Sequence, residues 1–184
     1  MATIPRIVTY EEWLQMPPAE DGRREEVVNG EIQVTPPPQL LHALVIQRLI
    51  SRIIRQIDEA RVAVIGSLFG LMIRQDPLIC REPDLALFWT EKWVVRDGLV
   101  WSPPELVVEV ISPSETKRRK QAKLDDYARI GVPEVWIVSP EAQSVEIRVL
   151  TEGKLAVRNI VVEGELRPTQ FPGVAIPVAE LWPE

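Results

Sequence analysis

A mixed α/β domain is predicted by three features of this sequence. The apolar run PELVVEVIS, a helical pattern after it and the apolar segment PEVWIVSP form a strand, helix, strand unit. Ahead of them, REEVVNGEIQV carries Asn29 and Gly30 between two strand-like runs. Behind them, SVEIRVL, GKLAVRNIVV and ELRPTQFPGVAIP alternate polar with apolar residues. A helical crossover joins parallel strands and tight turns join antiparallel ones, so the expected sheet is mixed and flanked by helices.

The elements follow in order. Thr9 and Glu12 form a capping-box pattern, so a short helix starts there and stops at Pro17 and Pro18. Asn29 and Gly30 suit the positive φ of a type I′ turn, which makes the next segment a hairpin. Pro36 to Pro38 break the chain before a long helix from about Gln39 to Glu59. Leu41, Leu44, Val45, Leu49, Ile53 and Ile57 form its buried stripe. Between Arg61 and Arg74, apolar runs parted by Gly66 and Gly70 read as one or two strands with a turn or bulge.

Strands at Leu85 to Trp89 and Leu106 to Ile111 come next, joined by a connection with a turn at Asp97 and Gly98. After Pro113 a helix runs from about Glu115 to Ile130 and ends at Gly131, with Pro133 just beyond. PEVWIVSP then lies beside the preceding strand through a right-handed crossover. The tail is antiparallel. No repeat or linker divides the chain, so residues 1–184 are expected to form a single domain, a size that buries most apolar surface around one core.

Hydrophobic residues at 46% and charged residues at 26% are ordinary globular values, and no apolar run approaches a membrane span. A basic start and apolar block are absent from the first residues, and Cys80 is the only cysteine, so a cytoplasmic protein without intrachain disulfides is expected. The balance of 21 basic against 27 acidic residues gives −6, which argues against tight non-specific binding to nucleic acid. Locally the sign reverses in TKRRKQAK, with Lys117, Arg118, Arg119, Lys120 and Lys123 in one short segment. Taken alone, such a run reads as a solvated helix face.

Glu109 is the most informative residue. It stands inside an apolar run, and an ionised carboxylate left unpaired in such surroundings costs several kcal/mol, so it needs a partner, a proton or a metal. Asp84 heads another apolar run in REPDLALFW. Along the Glu109 strand, Val107, Glu109 and Ile111 share one face. Ile111 supplies no cation, whereas Lys123 on the following helix reaches the same face if the crossover packs there. Two carboxylates on core strands with an ammonium nearby point to a metal site that cuts phosphodiesters. A lone histidine, His42, makes neither a His-based metal cluster nor a serine-type triad. Phosphate loops of the Walker type, a G-x-G-x-x-G turn and a CxxC pair are missing.

Asp84 in a Pro-Asp pair, Glu109 on the next core strand, and a helix carrying Lys123 and Tyr127 resemble the PD-(D/E)XK nuclease superfamily. More closely, the chain resembles the Uma-type restriction endonuclease family. The likeness runs through EEVVNGEI, the helix start near His42, REPDLALF, PELVVEVISPS, KLDDYARIGVPEVWIVSP and FPGVAIPVAELW. It implies a restriction-endonuclease-like core, a bound Mg²⁺ or Mn²⁺, and DNA as partner. Asp84 and Glu109 would hold the metal with the backbone carbonyl of Val110 or Ile111, since hard cations prefer oxygen donors. In that family the lysine is commonly moved to the helix, which nominates Lys123 to position the nucleophile or stabilise transition-state charge.

Glu26 matches an acid of the family's hairpin and is a candidate extra ligand or water-orienting group. It sits among Glu25 and Glu31, a pattern that by itself reads as solvent-exposed. His42 matches a family histidine, and its place at a helix start suits hydrogen bonding near the pocket or to phosphate. Tyr127 shares a helix face with Lys123 and reads as packing or support for it. One departure stands out: family members commonly carry an Asp where this chain has KRRK. The alternatives to an endonuclease are therefore a catalytically silent relative that binds nucleic acid or protein, and an oligomeric scaffold built on Trp89, Trp93 and Trp101. A homodimer would let two sites address two strands.

Overall fold

The computed structural model describes residues 7–17, 23–35, 37–67, 69–112 and 115–183. Pro18, Pro36 and Pro113, expected to punctuate the chain, lie outside them. Helix α1 (Tyr10–Leu14) begins at the anticipated capping box, with Thr9 Oγ1 accepting from Glu12 N at 3.2 Å and Glu12 Oε2 accepting from Thr9 N at 3.0 Å. Strands β1 (Arg24–Val28) and β2 (Glu31–Thr35) form the hairpin in the register Val28 to Glu31. Its turn residues Asn29 and Gly30 have φ of 53° and 79°, the left-handed values a type I′ turn requires.

Helix α2 (Leu40–Ile54) is shorter than its periodic pattern suggests. Gln56 stops it: the side-chain amide donates to Arg52 O at 2.9 Å and to Ala175 O at 3.0 Å, tying a free helix-end carbonyl to a distant loop. Two strands fill the next segment, β3 (Val62–Gly66) and β4 (Leu71–Arg74), and they belong to different sheets. β5 (Ile79–Arg81) was not anticipated from sequence; its three residues are too few to show a period. Next come β6 (Leu85–Trp89) and the small hairpin β7 (Val95–Arg96) and β8 (Leu99–Val100) around the expected Asp97–Gly98 turn.

Strand β9 (Leu106–Val110), helix α3 (Lys117–Arg129) and strand β10 (Glu134–Ser139) form the crossover, with β9 and β10 parallel neighbours. β11 (Ser144–Thr151) and β12 (Lys154–Val161) extend that sheet antiparallel, and β13 (Glu165–Leu166) pairs with β14 (Ile176–Pro177). The result is α/β with two mixed sheets in place of the one expected. The central sheet runs β12-β11-β10-β9-β6-β3, and the second, β2-β1-β5-β4-β8-β7, contains the N-terminal hairpin.

The central sheet is covered on both faces, which is why its middle strands read as almost continuous apolar runs. On one face Val45, Leu49 and Ile53 of α2 pack against Leu85, Leu87, Leu106, Val108 and Trp136. On the other, Leu124 and Tyr127 of α3 join Val107, Val135 and Ile137 together with Leu71 and Ile73 from the second sheet. Glu109 shares the face of Val107, so it is driven into the layer between α3 and the hairpin. Among the described residues, no helix is long and apolar enough to cross a membrane.

Candidate active site

Register places the two acids together. β6 and β9 are antiparallel, with Leu85 opposite Val108 and Ala86 opposite Val107, so one step further sets Asp84 across from Glu109. The contact is direct, because Asp84 Oδ2 accepts from Val110 N, the amide next to Glu109, at 2.7 Å. Lys123 reaches the same spot from α3, as anticipated. Its Nζ lies 2.8 Å from Glu109 Oε2 and 3.4 Å from Glu26 Oε1. The Tyr127 hydroxyl, one helical turn on, donates to Glu109 Oε1. From the opposite side of the sheet, His42 in the first turn of α2 brings Nε2 within 3.1 Å of Asp84 Oδ2.

Glu26 corrects the expectation of a solvent-exposed hairpin acid. It is 5% exposed, because the β1 face that carries it turns inward. Its Oε1 accepts from Glu82 N at 3.2 Å and its Oε2 from Arg81 Nη1 at 3.1 Å. Glu26 thus anchors Lys123 and Arg81. Lys123 is likewise no surface residue, with only 15% of its side chain exposed. Ile111 donates its N–H to Val138 O at 2.9 Å and lines the pocket beside Glu109.

Several members of the cluster went unread in the sequence. Arg24 donates to Asp84 Oδ1 and to the Glu82 carbonyl. Arg81 is almost fully buried and grips Asp126 Oδ2 through Nε at 2.9 Å and Nη2 at 2.7 Å, while Asp126 Oδ1 meets Arg129 Nη1 at 2.5 Å. A signal was present: Arg24 stands two residues before Glu26 on one strand, and Asp126 three after Lys123 on one helix. What pairs them is tertiary.

The electrostatics divide the acids. Burial drives the Glu109 carboxyl up to about 7, against the pull of Lys123 and with added repulsion from Asp84 and Glu26. Asp84 goes the other way: burial would raise it, but the His42 hydrogen bond and the Arg24 charge hold it down at about 2. For Glu26, burial is outweighed by Lys123 and Arg81, and the carboxyl titrates below the usual range. Lys123 is pushed down by burial and up more strongly by Glu109 and Glu26, so it stays charged. Four buried carboxylates, Glu26, Asp84, Glu109 and Asp126, face three largely buried cations, Arg24, Arg81 and Lys123. Counted among these buried groups alone the balance is negative, and it is there that burial and the neighbouring acids raise the Glu109 carboxyl.

The cluster floors a pocket of about 390 Å³. Pro37, Pro38 and Leu41 form one wall, and Glu115 and Arg119 of the α3 approach and first turn form another. Among the described residues, no group of three or more His, Cys, Asp or Glu side chains is arranged to hold a metal ion. Two carboxylates do meet there, and they are hard oxygen donors. Mg²⁺ is usually held by one or two carboxylates together with waters and substrate phosphate oxygens, so this donor set fits it.

A two-sheet α/β fold with paired strand acids and a helix-borne lysine in one pocket is the frame of a restriction-endonuclease-like nuclease. The chain belongs to the Uma2 family, described as "Putative restriction endonuclease", whose model matches residues 10–179. Among solved structures it is similar to one titled "Crystal structure of a putative nuclease belonging to DUF820" from Anabaena variabilis ATCC 29413. That similarity has a TM-score of 0.77 at 17% identity, covering 95% of this chain and 97% of the other. At that identity the likeness is one of fold. No curated protein matches the chain.

The three tryptophans offered as an interface each have an aromatic partner within the chain. Trp89 packs on Phe171, Trp93 stacks on Phe88, and Trp101 meets Tyr10 edge-on, at centroid distances of 4.7, 5.9 and 5.7 Å. Trp89 packs against the core on the α2 face and Trp101 against the cluster around Tyr10.

Proposed function

We propose that this protein is a metal-dependent endonuclease that hydrolyses DNA phosphodiester bonds in the pocket over Asp84 and Glu109. The observation that carries the reading is the meeting of these two carboxylates with a charged Lys123, all three lining one open pocket. Asp84, Glu109 and the carbonyl of Val110 or Ile111 would hold Mg²⁺ or Mn²⁺. Bound there, the ion would activate a water and polarise a phosphoryl oxygen.

The remaining work falls to the chain. Lys123, kept charged by Glu109 and Glu26, is a fixed positive group that orients the nucleophile and offsets charge growing on the phosphate. Glu26 and Tyr127 hold that arrangement: Glu26 fixes the ammonium, and the Tyr127 hydroxyl fixes the other Glu109 oxygen. Arg119 lines the pocket, and with Lys117 and Arg118 it fills the first turn of α3, which contains no acid. Cations there oppose the helix dipole, so this placement disfavours the helix and favours an anion in front of it. A phosphate backbone is such an anion. Two copies would address two strands, which makes a homodimer the expected working form.

Isothermal titration with Mg²⁺ and Mn²⁺, followed by incubation with supercoiled plasmid, tests the reading. The wild type is expected to bind metal and to nick or linearise plasmid, with both lost in Asp84→Ala and Glu109→Ala and cutting abolished by EDTA. A second reading has its own observation, the KRRK segment standing where the family commonly carries an acid. Metal and DNA binding without any cutting favours that silent relative.

A further inference from the structure

We propose that Arg24 is a built-in cation that holds the Asp84 position in the metal-free protein, yields it to the divalent ion, and then binds the substrate phosphate. The inference rests on the metal-dependent reading above and assigns a role to a residue which that reading leaves unused.

The lone pairs of Asp84 decide the matter. A carboxylate oxygen accepts about two hydrogen bonds in its plane. Oδ2 already receives Val110 N at 2.7 Å and faces His42 Nε2 at 3.1 Å. The remaining capacity of Asp84 is on Oδ1, and Oδ1 is engaged by the Arg24 guanidinium. A divalent ion that takes Asp84 as a ligand therefore arrives beside a fixed positive charge. Repulsion between like charges held on one carboxylate in a partly buried site would exceed thermal energy several-fold. Either the guanidinium moves or the metal binds weakly.

Arg24 has a pivot and a destination. It opens β1 two residues before Glu26, so both side chains lie on the inward face of the strand. Its Nη2 donates to the Glu82 carbonyl and its Nε lies 3.8 Å from Glu82 Oε2, contacts independent of Asp84. It also lines the pocket, where the other cations are Lys123 and Arg119. Lys123 is committed to Glu109 and Glu26. Arg24 is the deep cation whose main partner a metal would neutralise. A guanidinium presents a planar fork that matches a phosphate, and a phosphodiester in this pocket gives it a new anion. Metal uptake and substrate binding would thereby be coupled: Arg24, once released from Asp84, would favour the phosphate.

The test separates this role from a structural ion pair. Loss of a purely structural partner would disturb Asp84 and leave metal affinity unchanged or weaker. Here Arg24→Met is expected to bind Mn²⁺ in the absence of DNA roughly tenfold more tightly than wild type, because the competing charge is gone. The same variant is expected to bind a duplex oligonucleotide at least several-fold more weakly in Ca²⁺, read by fluorescence anisotropy. Arg24→Lys, whose ammonium lacks the fork and grips Asp84 less well, should fall between the two in Mn²⁺ affinity. It also keeps the test open if the Met variant fails to fold by circular dichroism. Equal or weaker Mn²⁺ binding by the folded variants overturns the proposal while leaving the metal site itself standing. Tighter Mn²⁺ with unchanged DNA binding overturns its phosphate half. No Mn²⁺ uptake by wild type would instead remove the metal-dependent reading on which it rests.

Discussion

Glu109 is predicted to destabilise the metal-free fold above pH 5, and Glu109→Gln should reveal it. The carboxyl is 5% exposed and sits with Asp84 and Glu26, so its pKa rises from the ordinary 4.5 to about 7. A group whose folded pKa lies above its unfolded value contributes stability that is complete below the unfolded pKa. That contribution is lost as pH rises through the folded pKa. At ~1.36 kcal/mol per tenfold change in proton affinity, the loss is about 3 kcal/mol by pH 8 and about 1 kcal/mol at pH 5. Glutamine is nearly isosteric and uncharged, and it can still accept from Lys123, which keeps Glu26 as a partner at 3.4 Å. Whatever constant offset the substitution brings cancels when two pH values are compared. The measurement is urea unfolding in EDTA at pH 5 and pH 8. The stability difference, variant minus wild type, should grow by roughly 2 kcal/mol, or about 4–8 °C in melting temperature for a chain of this size. Parallel pH profiles for the two proteins would refute the buried, charge-excess picture of the site. A gain in apo stability together with loss of metal binding would mark Glu109 as a residue held for function at a cost to the fold.

Other perturbations probe the surrounding structure. On the proposed endonuclease reading, Lys123→Met should keep Mn²⁺ binding in calorimetry while abolishing plasmid cutting, since the ammonium would act on the reaction and is not a metal donor. Asp126→Ala strips Arg81 of its two-point partner in a buried network, and urea unfolding should show a loss of roughly 3–5 kcal/mol. Gly30→Ala places a Cβ 2.6 Å from Ile7 Cγ2 and 3.2 Å from Val8 O at a φ of 79°, so thermal melts should record a loss of at least about 1 kcal/mol. Cys80 is buried, and burial with the nearby Glu82 and Glu26 pushes its thiol far above the usual range. It should therefore react with a disulfide reagent at pH 8 only after denaturant is added. The unfolded thiol ionises first as pH rises, so this group contributes stability that declines above about pH 8.5.

Much of this architecture was legible along the chain. The capping box at Thr9 and the Asn29–Gly30 turn are set by contacts within a few residues, and the crossover from Leu106 to Ser139 and the antiparallel tail announce themselves by the apolar and alternating patterns of their own segments, which a sequence displays directly. The end of α2 was not, because Gln56 closes it on Ala175, far away in sequence. Nor was β5, too short to carry a pattern, or the division of the strands between two sheets. In the site, Glu109 stood out because it interrupts an apolar run and Asp84 because it heads one, whereas Lys123 was nominated by its place on the following helix together with the family resemblance. Glu26 looked like one exposed acid among three until β1 was seen to face inward.

The sequence by itself determined that Glu109, together with Asp84 at the head of its own apolar run, enters the core, since apolar neighbours on both faces of a strand oblige its residues to be buried. Tertiary structure alone decided what meets them there. Arg24, Arg81 and Asp126 are ordinary surface-type residues in one dimension, and they become a buried charge network only because the second sheet and α3 close over the same face. Pairing across such distances is set by strand register and helix packing, which no local run of residues encodes.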